Sequence, residues 1–122
     1  KLPKPAKPIR VGMAYVAIRS DGAVLLEQRP AKGLLGGMMG FPGSDWAQEQ
    51  VAHTAPFSAL WVQSPVEVRH TFTHFNLRLM VMVATQLDPG SHQGCFVDKS
   101  NFRPGDLPTV MQKVWNAATA VT

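Results

Sequence analysis

The chain has 122 residues, of which 45% are hydrophobic and 16% charged. These values favour one folded domain with its own core and argue against a disordered tail. The single cysteine, Cys95, excludes an intrachain disulfide and fits a reducing compartment. No apolar run approaches membrane-spanning length, and no signal-peptide pattern opens the chain.

The net charge of +4 is concentrated at the start of the chain. Four of the twelve basic residues lie in residues 1–10, and the other eight balance the eight acidic residues. Proline alternates with lysine in this segment, which predicts an extended, semi-rigid connector. Because the chain also lacks an initiator methionine, we expect a piece of a longer protein, with a connector in residues 1–10 and the domain in residues 11–122. A formally neutral body is unusual for a domain that binds nucleic acid unaided.

The first predicted element is a β-hairpin. Two apolar runs, VGMAYVAIR and AVLLEQR, flank Asp21 and Gly22, which can both take positive φ in a tight turn. A glycine-dense loop follows, which indicates tight turns or close backbone approach. Its glycines are Gly33, Gly36, Gly37, Gly40 and Gly43. The stretch DWAQEQVAHTA then predicts a short helix capped by Asp45 and ended by Pro56.

The next predicted elements are two strands with a break between them. Before Phe72 the even-numbered positions are apolar, whereas after His74 the odd-numbered positions are apolar. Alternate residues of a strand share a face, so the pattern slips by one residue inside this short segment. A bulge or tight loop must absorb the slip. We expect Phe72, Thr73 and His74 to project from the break.

The chain is predicted to end in a buried strand and a helix. Met80 and Met82 make the end of the second strand apolar on both faces, which is typical of a central strand. DLPTVMQKVWNAATAV predicts a helix with Asp106 or Leu107 at its cap and Pro108 in its first turn. Its apolar stripe consists of Val110, Met111, Val114, Trp115 and Ala118. Strands followed by a terminal helix indicate an α+β domain with a mixed or antiparallel sheet.

The histidines do not predict a metal site. His70 and His74 are four residues apart, but on strand segments this spacing does not align two ligands as it would on a helix. A metal site needs at least a third ligand, and His53, His92 and Cys95 show no matching spacing. We expect histidines that are hydrogen-bonded within the fold or that line a surface groove.

The triplet Phe72-Thr73-His74 has a second interpretation besides core packing. Phe72 alone fits a core residue. Together on a loop, the three provide an apolar ring, a hydroxyl that donates and accepts, and an imidazole. Guanine presents an N7 acceptor in the major groove, whereas its 8-oxo form presents an N7–H donor beside an O8 acceptor. A hydroxyl flanked by backbone N–H groups is chemically able to contact both.

The stretch GLLGGMMGFPGSDWAQEQ resembles the start of a Nudix box. This hydrolase signature begins at a glycine, has a glutamate six residues later, and ends in a glutamate-rich cluster that binds magnesium. Counted from Gly43, Glu49 takes the first glutamate position. The cluster positions are taken by Phe57, Ser58, Ala59, Trp61 and Val62. Magnesium requires oxygen ligands, and residues 51–62 contain no acid, so we do not expect an active pyrophosphohydrolase.

Several segments together resemble the C-terminal domain of MutY, the adenine DNA glycosylase that acts at 8-oxoguanine:adenine mispairs. They are GMAYVAIRSDGAVLLEQRP, KGLLGGMMGFP, RHTFTHFNLRL and the Leu-Pro start of the last helix. The resemblance implies a Nudix-like mixed β-sheet with flanking helices and a C-terminal helix. It also implies recognition of 8-oxoguanine through a Phe-Ser-His loop, which maps onto Phe72, Thr73 and His74, with His70 beside it. Threonine replaces the family's serine, and its methyl group restricts χ1.

The resemblance further implies that this chain holds no catalytic residue, metal or cofactor. The adenine-excising acid and a 4Fe-4S cluster would belong to a separate catalytic domain. The implied partners are double-stranded DNA with an 8-oxoguanine:adenine pair and the protein's own N-terminal glycosylase domain, with no membrane. The implied location is the bacterial cytoplasm, in association with the nucleoid. Two alternatives stay open: a divergent Nudix pyrophosphohydrolase of oxidised nucleotides, and a protein-interaction module.

Overall fold

The computed structural model describes residues 7–29, 35–49, 54–90 and 94–121. Within these ranges the chain forms seven strands, a short 3-10 helix and one α-helix. The strands are β1 (Ile9–Arg19), β2 (Val24–Gln28), β3 (Met39–Gly40), β4 (Val62–Gln63), β5 (Val68–Thr71), β6 (Asn76–Leu87) and β7 (Cys95–Val97). The 3-10 helix is Pro104–Asp106, and helix α1 is Thr109–Thr119. No helix within these ranges is long and apolar enough to cross a membrane.

All seven strands belong to one mixed sheet, as predicted. The order is β3-β2-β1-β6-β4, with β5 also paired to β6 and β7 to β2. The two longest strands, β1 and β6, run parallel from the pair Ile9–Asn76 to the pair Arg19–Leu87. The other pairings are antiparallel. The central position of β6 confirms the buried second strand.

The predicted hairpin is confirmed, and one residue of its turn adopts positive φ. Strands β1 and β2 pair antiparallel through Ile18 and Val24. Gly22 has a φ of 91°, and its N–H donates to the carbonyl oxygen of Arg19. The Asp21 carboxylate accepts a hydrogen bond from the Ala23 N–H, which closes the turn. The glycine therefore provides the left-handed residue, and the aspartate provides the side-chain acceptor.

The helix predicted to begin at Asp45 is not formed within the described residues. Residues 45–49 and 54–56 are irregular, and residues 50–53 lie outside the described ranges. Ala47 instead exchanges two backbone hydrogen bonds with Val11 of β1, with N–O distances of 2.8 and 3.2 Å. The first part of β1, which is not paired with β2, therefore forms hydrogen bonds with backbone groups that a helix would have paired internally.

Helix α1 packs on one face of the sheet, and its apolar stripe is confirmed. Four of the five stripe residues are buried, and Trp115 is partly buried against the same core. The predicted cap was wrong: Pro108 is the N-cap, and no side chain caps the helix. Asp106 belongs instead to the preceding 3-10 helix, whose turn ends at Leu107.

The opposite face of the sheet carries a smaller core. Its buried members are Ala17, Leu25, Ala84 and Leu87. It is covered by partly buried side chains of the segment before β4, namely Phe57, Ala59 and Trp61. Both faces are therefore packed, and the ends of the sheet remain for a functional site.

The glycine-dense loop makes the close backbone approach that its composition predicts. A Cβ added at Gly43 would lie 2.3 Å from the carbonyl oxygen of Met13. Gly43 forms an isolated bridge with Ala14, and the neighbouring Ser44 N–H donates to the Met13 carbonyl oxygen over 2.9 Å. The loop is thereby held against β1. Gly33 lies outside the described residues.

Candidate nucleic-acid interface

The predicted break between strands is the tip of the β5–β6 hairpin. Thr71 and Asn76 form the last paired position, and the Phe72 N–H donates to the Phe75 carbonyl oxygen over 2.8 Å. Thr73 and His74 alone span the tip, and both are exposed. A tight turn therefore absorbs the slip in the apolar pattern.

The tip is stabilised by one residue that precedes β1, Lys7, and by Arg10 near the start of β1. Two-residue hairpin turns usually need positive φ, but neither Thr73 nor His74 has it. The Phe72 carbonyl oxygen accepts a hydrogen bond from Lys7 Nζ over 3.1 Å. The Arg10 guanidinium lies 4.4 Å from the centre of the Phe75 ring, within cation–π range. The cationic side chains at the start of the described chain thus contact the hairpin directly.

An aromatic cluster lies beneath the tip. The Phe72 ring is 4.7 Å from the His70 ring, 4.9 Å from the Phe75 ring and 6.0 Å from the Trp46 ring, measured between centroids. Phe72 is partly buried against the main core. The expectation that all three residues project was therefore wrong for Phe72, since its ring gains apolar contacts by turning inward. Thr73 and His74 present the polar groups.

His70 is connected to helix α1 by Lys113. Lys113 Nζ lies 3.0 Å from His70 Nδ1 and 3.0 Å from the Arg69 carbonyl oxygen. An ammonium only donates, so Nδ1 accepts and the imidazole proton is on Nε2. Burial, together with the charge of Lys113, lowers the pKa of His70 below its ordinary value of 6.5. The ring is therefore neutral at pH 7.

A groove of about 630 Å³ lies beside the hairpin, next to helix α1. We call it the basic groove; its lining includes Arg69, His70, Thr71, Asn76, Arg78 and Lys113. Three of these side chains are cationic. The overall neutrality of the body therefore conceals a local excess of positive charge at the hairpin.

Sequence reasoning missed the cations of the basic groove, although a signal for two of them was present. In a hairpin with Thr73 and His74 at its tip, positions equally far from the tip face each other. Counting outward pairs Arg69 with Arg78, as the observed register does. For Lys113 no local signal exists, because its partner His70 is 43 positions away.

The described residues do not bring the histidines together as metal ligands. His70 is half-buried in β5, whereas His74 is exposed at the tip. No group of three or more histidine, cysteine, aspartate or glutamate side chains able to hold a metal occurs in the described ranges. His53 and His92 lie outside those ranges.

Three of the five positions that would hold magnesium in a Nudix signature are used for packing. The Trp61 ring contacts Tyr15 edge-on at 5.2 Å, and its Nε1 donates to the Phe57 carbonyl oxygen over 3.1 Å. Ala59 packs in the same small core, and Ser58 is exposed. Apolar side chains at these positions offer no oxygen ligands for a hard cation.

Comparisons with known proteins agree with this architecture. A family model described as NUDIX domain matches residues 13–117. The C-terminal domain of mouse MUTYH, solved in complex with human PCNA, matches with a TM-score of 0.67 and 26% sequence identity. The match covers 88% of this chain and 86% of that chain. The chain therefore belongs to the NUDIX domain family and, within it, to the Nudix-like C-terminal domains of MutY-type proteins.

Proposed function

We propose that this chain is the damage-recognition domain of an adenine DNA glycosylase, and that it reads 8-oxoguanine opposite adenine. The observation that carries the proposal is the exposure of Thr73 at a two-residue hairpin tip supported by an aromatic cluster. Membership of the MutY-type C-terminal domains fits a DNA-repair module.

The chemistry of the tip suits the oxidised base. In 8-oxoguanine, N7–H is a donor and O8 an acceptor. The Thr73 hydroxyl oxygen can accept from N7–H while a backbone N–H of the tip donates to O8. His74 adds an exposed imidazole beside them. Guanine, with an N7 acceptor and no O8, would leave polar groups of this arrangement unpaired, at a cost of roughly 1–3 kcal/mol. The hydroxyl therefore supplies discrimination between the two bases.

The proposal assigns catalysis to another domain. Adenine excision and the 4Fe-4S cluster belong to a separate N-terminal glycosylase domain, which together with double-stranded DNA is the partner of this chain, in the bacterial cytoplasm. The apolar packing of Phe57, Ala59 and Trp61 supports a non-hydrolytic role for this domain. The complex of the mouse domain with PCNA supports a further role in binding a protein partner.

The test is substitution of Thr73 in the intact glycosylase. Adenine excision is measured under single-turnover conditions on duplexes with 8-oxoguanine:adenine and guanine:adenine. We expect Thr73→Ala to reduce the ratio of the two rates by about tenfold, which corresponds to about 1.4 kcal/mol. Thr73→Ser keeps the hydroxyl and should retain the ratio. An unchanged ratio in Thr73→Ala would remove the role assigned to this residue.

The hydrolase alternative has its own assay. The 122-residue chain is incubated in excess over an 8-oxo-deoxyguanosine triphosphate with magnesium, and pyrophosphate release is followed. We expect none above the rate without protein. Magnesium-dependent release that is lost in Glu49→Gln would favour the alternative instead.

A further inference from the structure

The basic groove contains a like-charge pair in an unusual position. Arg69 on β5 and Arg78 on β6 are directly opposite each other in the antiparallel register. Like charges at such positions are destabilising. Both guanidinium groups donate to the same atom, Glu67 Oε1, over 3.0 and 2.9 Å. One carboxylate therefore serves as the shared counter-ion of two arginines.

The shared carboxylate is accessible and ionised. The side chains of Arg69, Arg78 and Glu67 are 71%, 43% and 39% exposed. The hydrogen bond from Arg69, with that from Arg78, holds the pKa of Glu67 below its ordinary value. Exposed ion pairs contribute little to stability, so another anion can replace this carboxylate at small cost.

Lys113 adds a third cation from a different element. Its ammonium has three N–H groups. Within the described part of the chain, two of them are assigned, to the Arg69 carbonyl oxygen and to His70 Nδ1. These two hydrogen bonds fix the ammonium at the wall of the groove. Lys113 of helix α1 thus lines the basic groove together with the two arginines of the strands.

We propose that the basic groove binds the phosphodiester backbone of duplex DNA, and that Glu67 is an internal counter-ion that a DNA phosphate displaces. This inference rests on the proposed function, because it places the backbone contact beside the hairpin that reads the base. Guanidinium groups pair with phosphate in the same forked geometry as with carboxylate. The phosphate therefore takes over hydrogen bonds that Glu67 accepts in the free protein.

The position of the groove fits a strand that also reaches the tip. Arg69 precedes Thr73 by four residues, which at strand rise corresponds to about 10–14 Å. Phosphates of one strand succeed each other every 3.4 Å or so along the axis of a duplex, so the contact is about three or four phosphates from the base read. The groove would contribute affinity without sequence preference, and the tip would contribute discrimination.

The test measures binding of the 122-residue chain to an undamaged, fluorescein-labelled duplex by anisotropy at several low salt concentrations. We expect Arg69→Gln, Arg78→Gln and Lys113→Gln each to weaken binding and to lower the slope of log affinity against log salt by about one. Glu67→Gln should tighten binding about two- to fivefold, since it frees both arginines. Arg78→Lys retains the charge and should keep the slope.

Lys99 provides the matched control. The parallel register places the pair Ile9–Asn76 at the hairpin end of the sheet and the pair Arg19–Leu87 at the other end. Lys99 lies beside Gly22 in the turn after Arg19, so Lys99→Gln removes one charge far from the groove. The slope of log affinity against log salt should be the same for Lys99→Gln as for the parent chain. Thermal unfolding verifies that every variant is folded.

Two outcomes would overturn the inference. One is equal slopes for the three groove variants and Lys99→Gln; the other is no tighter binding by Glu67→Gln. Both outcomes can be distinguished from failure of the proposed function, because they are measured on undamaged duplex. Thr73→Ala should not change binding to undamaged duplex, and a loss of slope in the groove variants stands whether or not Thr73 discriminates 8-oxoguanine.

Discussion

Lys113 of helix α1 donates a hydrogen bond to Nδ1 of His70 on strand β5 over 3.0 Å. The same ammonium also binds the Arg69 carbonyl oxygen. One side chain thereby connects the C-terminal helix to the strand that leads into the hairpin tip. The position of the tip relative to the core depends on this contact as well as on the strand pairing.

The first prediction concerns stability and pH. Because the folded state lowers the pKa of His70 below 6.5, the unfolded chain binds more protons at that residue as the pH falls through this value. The contribution of His70 is therefore fully present above 6.5 and is lost at lower pH. We expect the free energy of unfolding, measured with urea between about pH 5 and 7, to decline less steeply in His70→Gln. His74→Gln, which removes an exposed imidazole at the tip, is the matched control substitution.

The second prediction separates the two causes of that pKa. Lys113→Gln keeps a hydrogen-bond donor but removes the charge. The pKa of His70 should then rise, yet stay below 6.5, because burial is the larger cause and remains. Titration of the imidazole C–H signals by NMR measures it. A pKa unaffected by Lys113→Gln but changed by Lys99→Gln would contradict the assigned contact.

The third prediction concerns the support of the tip. Trp46 stacks against Phe72 with centroids 6.0 Å apart, and the Arg29 guanidinium lies 4.4 Å from the Trp46 ring centre. Trp46→Ala should lower the free energy of unfolding by about 1–3 kcal/mol, less than for a fully buried tryptophan. Trp46→Phe should retain most of the stability that is lost in Trp46→Ala. The amide signals of Thr73 and His74 should shift in the alanine variant; if they do not, Trp46 does not position the tip.

The fourth prediction concerns the glycine-dense loop. An alanine methyl at position 43 would overlap the Met13 carbonyl oxygen, so Gly43→Ala must move the loop away from β1. We expect a loss of about 1–3 kcal/mol in the free energy of unfolding, as for other overpacked positions. Gly105→Ala is the control, because nothing lies within 4 Å of the added methyl. Equal effects of the two substitutions would contradict the close approach.

The elements that could be predicted from sequence are those in which buried side chains recur at the regular spacing of a helix or a strand. The apolar stripe of α1 follows the helical repeat, and the slip at residues 72–74 locates the hairpin tip, because alternation along a strand reports which face is buried. The helix expected to begin at Asp45 is absent from the described residues 45–49 because their backbone pairs with β1. That competition depends on tertiary proximity of Ala47 and Val11, which no local pattern encodes.

The contacts that build the candidate interface were less accessible to sequence reasoning. Trp46 lies 26 positions before Phe72, and Lys113 lies 43 positions after His70. Neither contact is indicated by the spacing of residues in the sequence. The apolar pattern indicated which residues form the tip, and the resemblance implied their role. The cations of the basic groove were identified only from the register and from the packing of α1.

The shortness of the β5–β6 tip has a consequence for association with a ligand. Only Thr73 and His74 lie beyond the last backbone hydrogen bond of the hairpin, and Phe72 is anchored in the aromatic cluster. Few dihedral angles of the tip therefore lose freedom when it binds a ligand. A loop that becomes ordered on binding loses conformational entropy, which reduces affinity. Because this tip is short and already ordered, little of its interaction energy is spent on that loss.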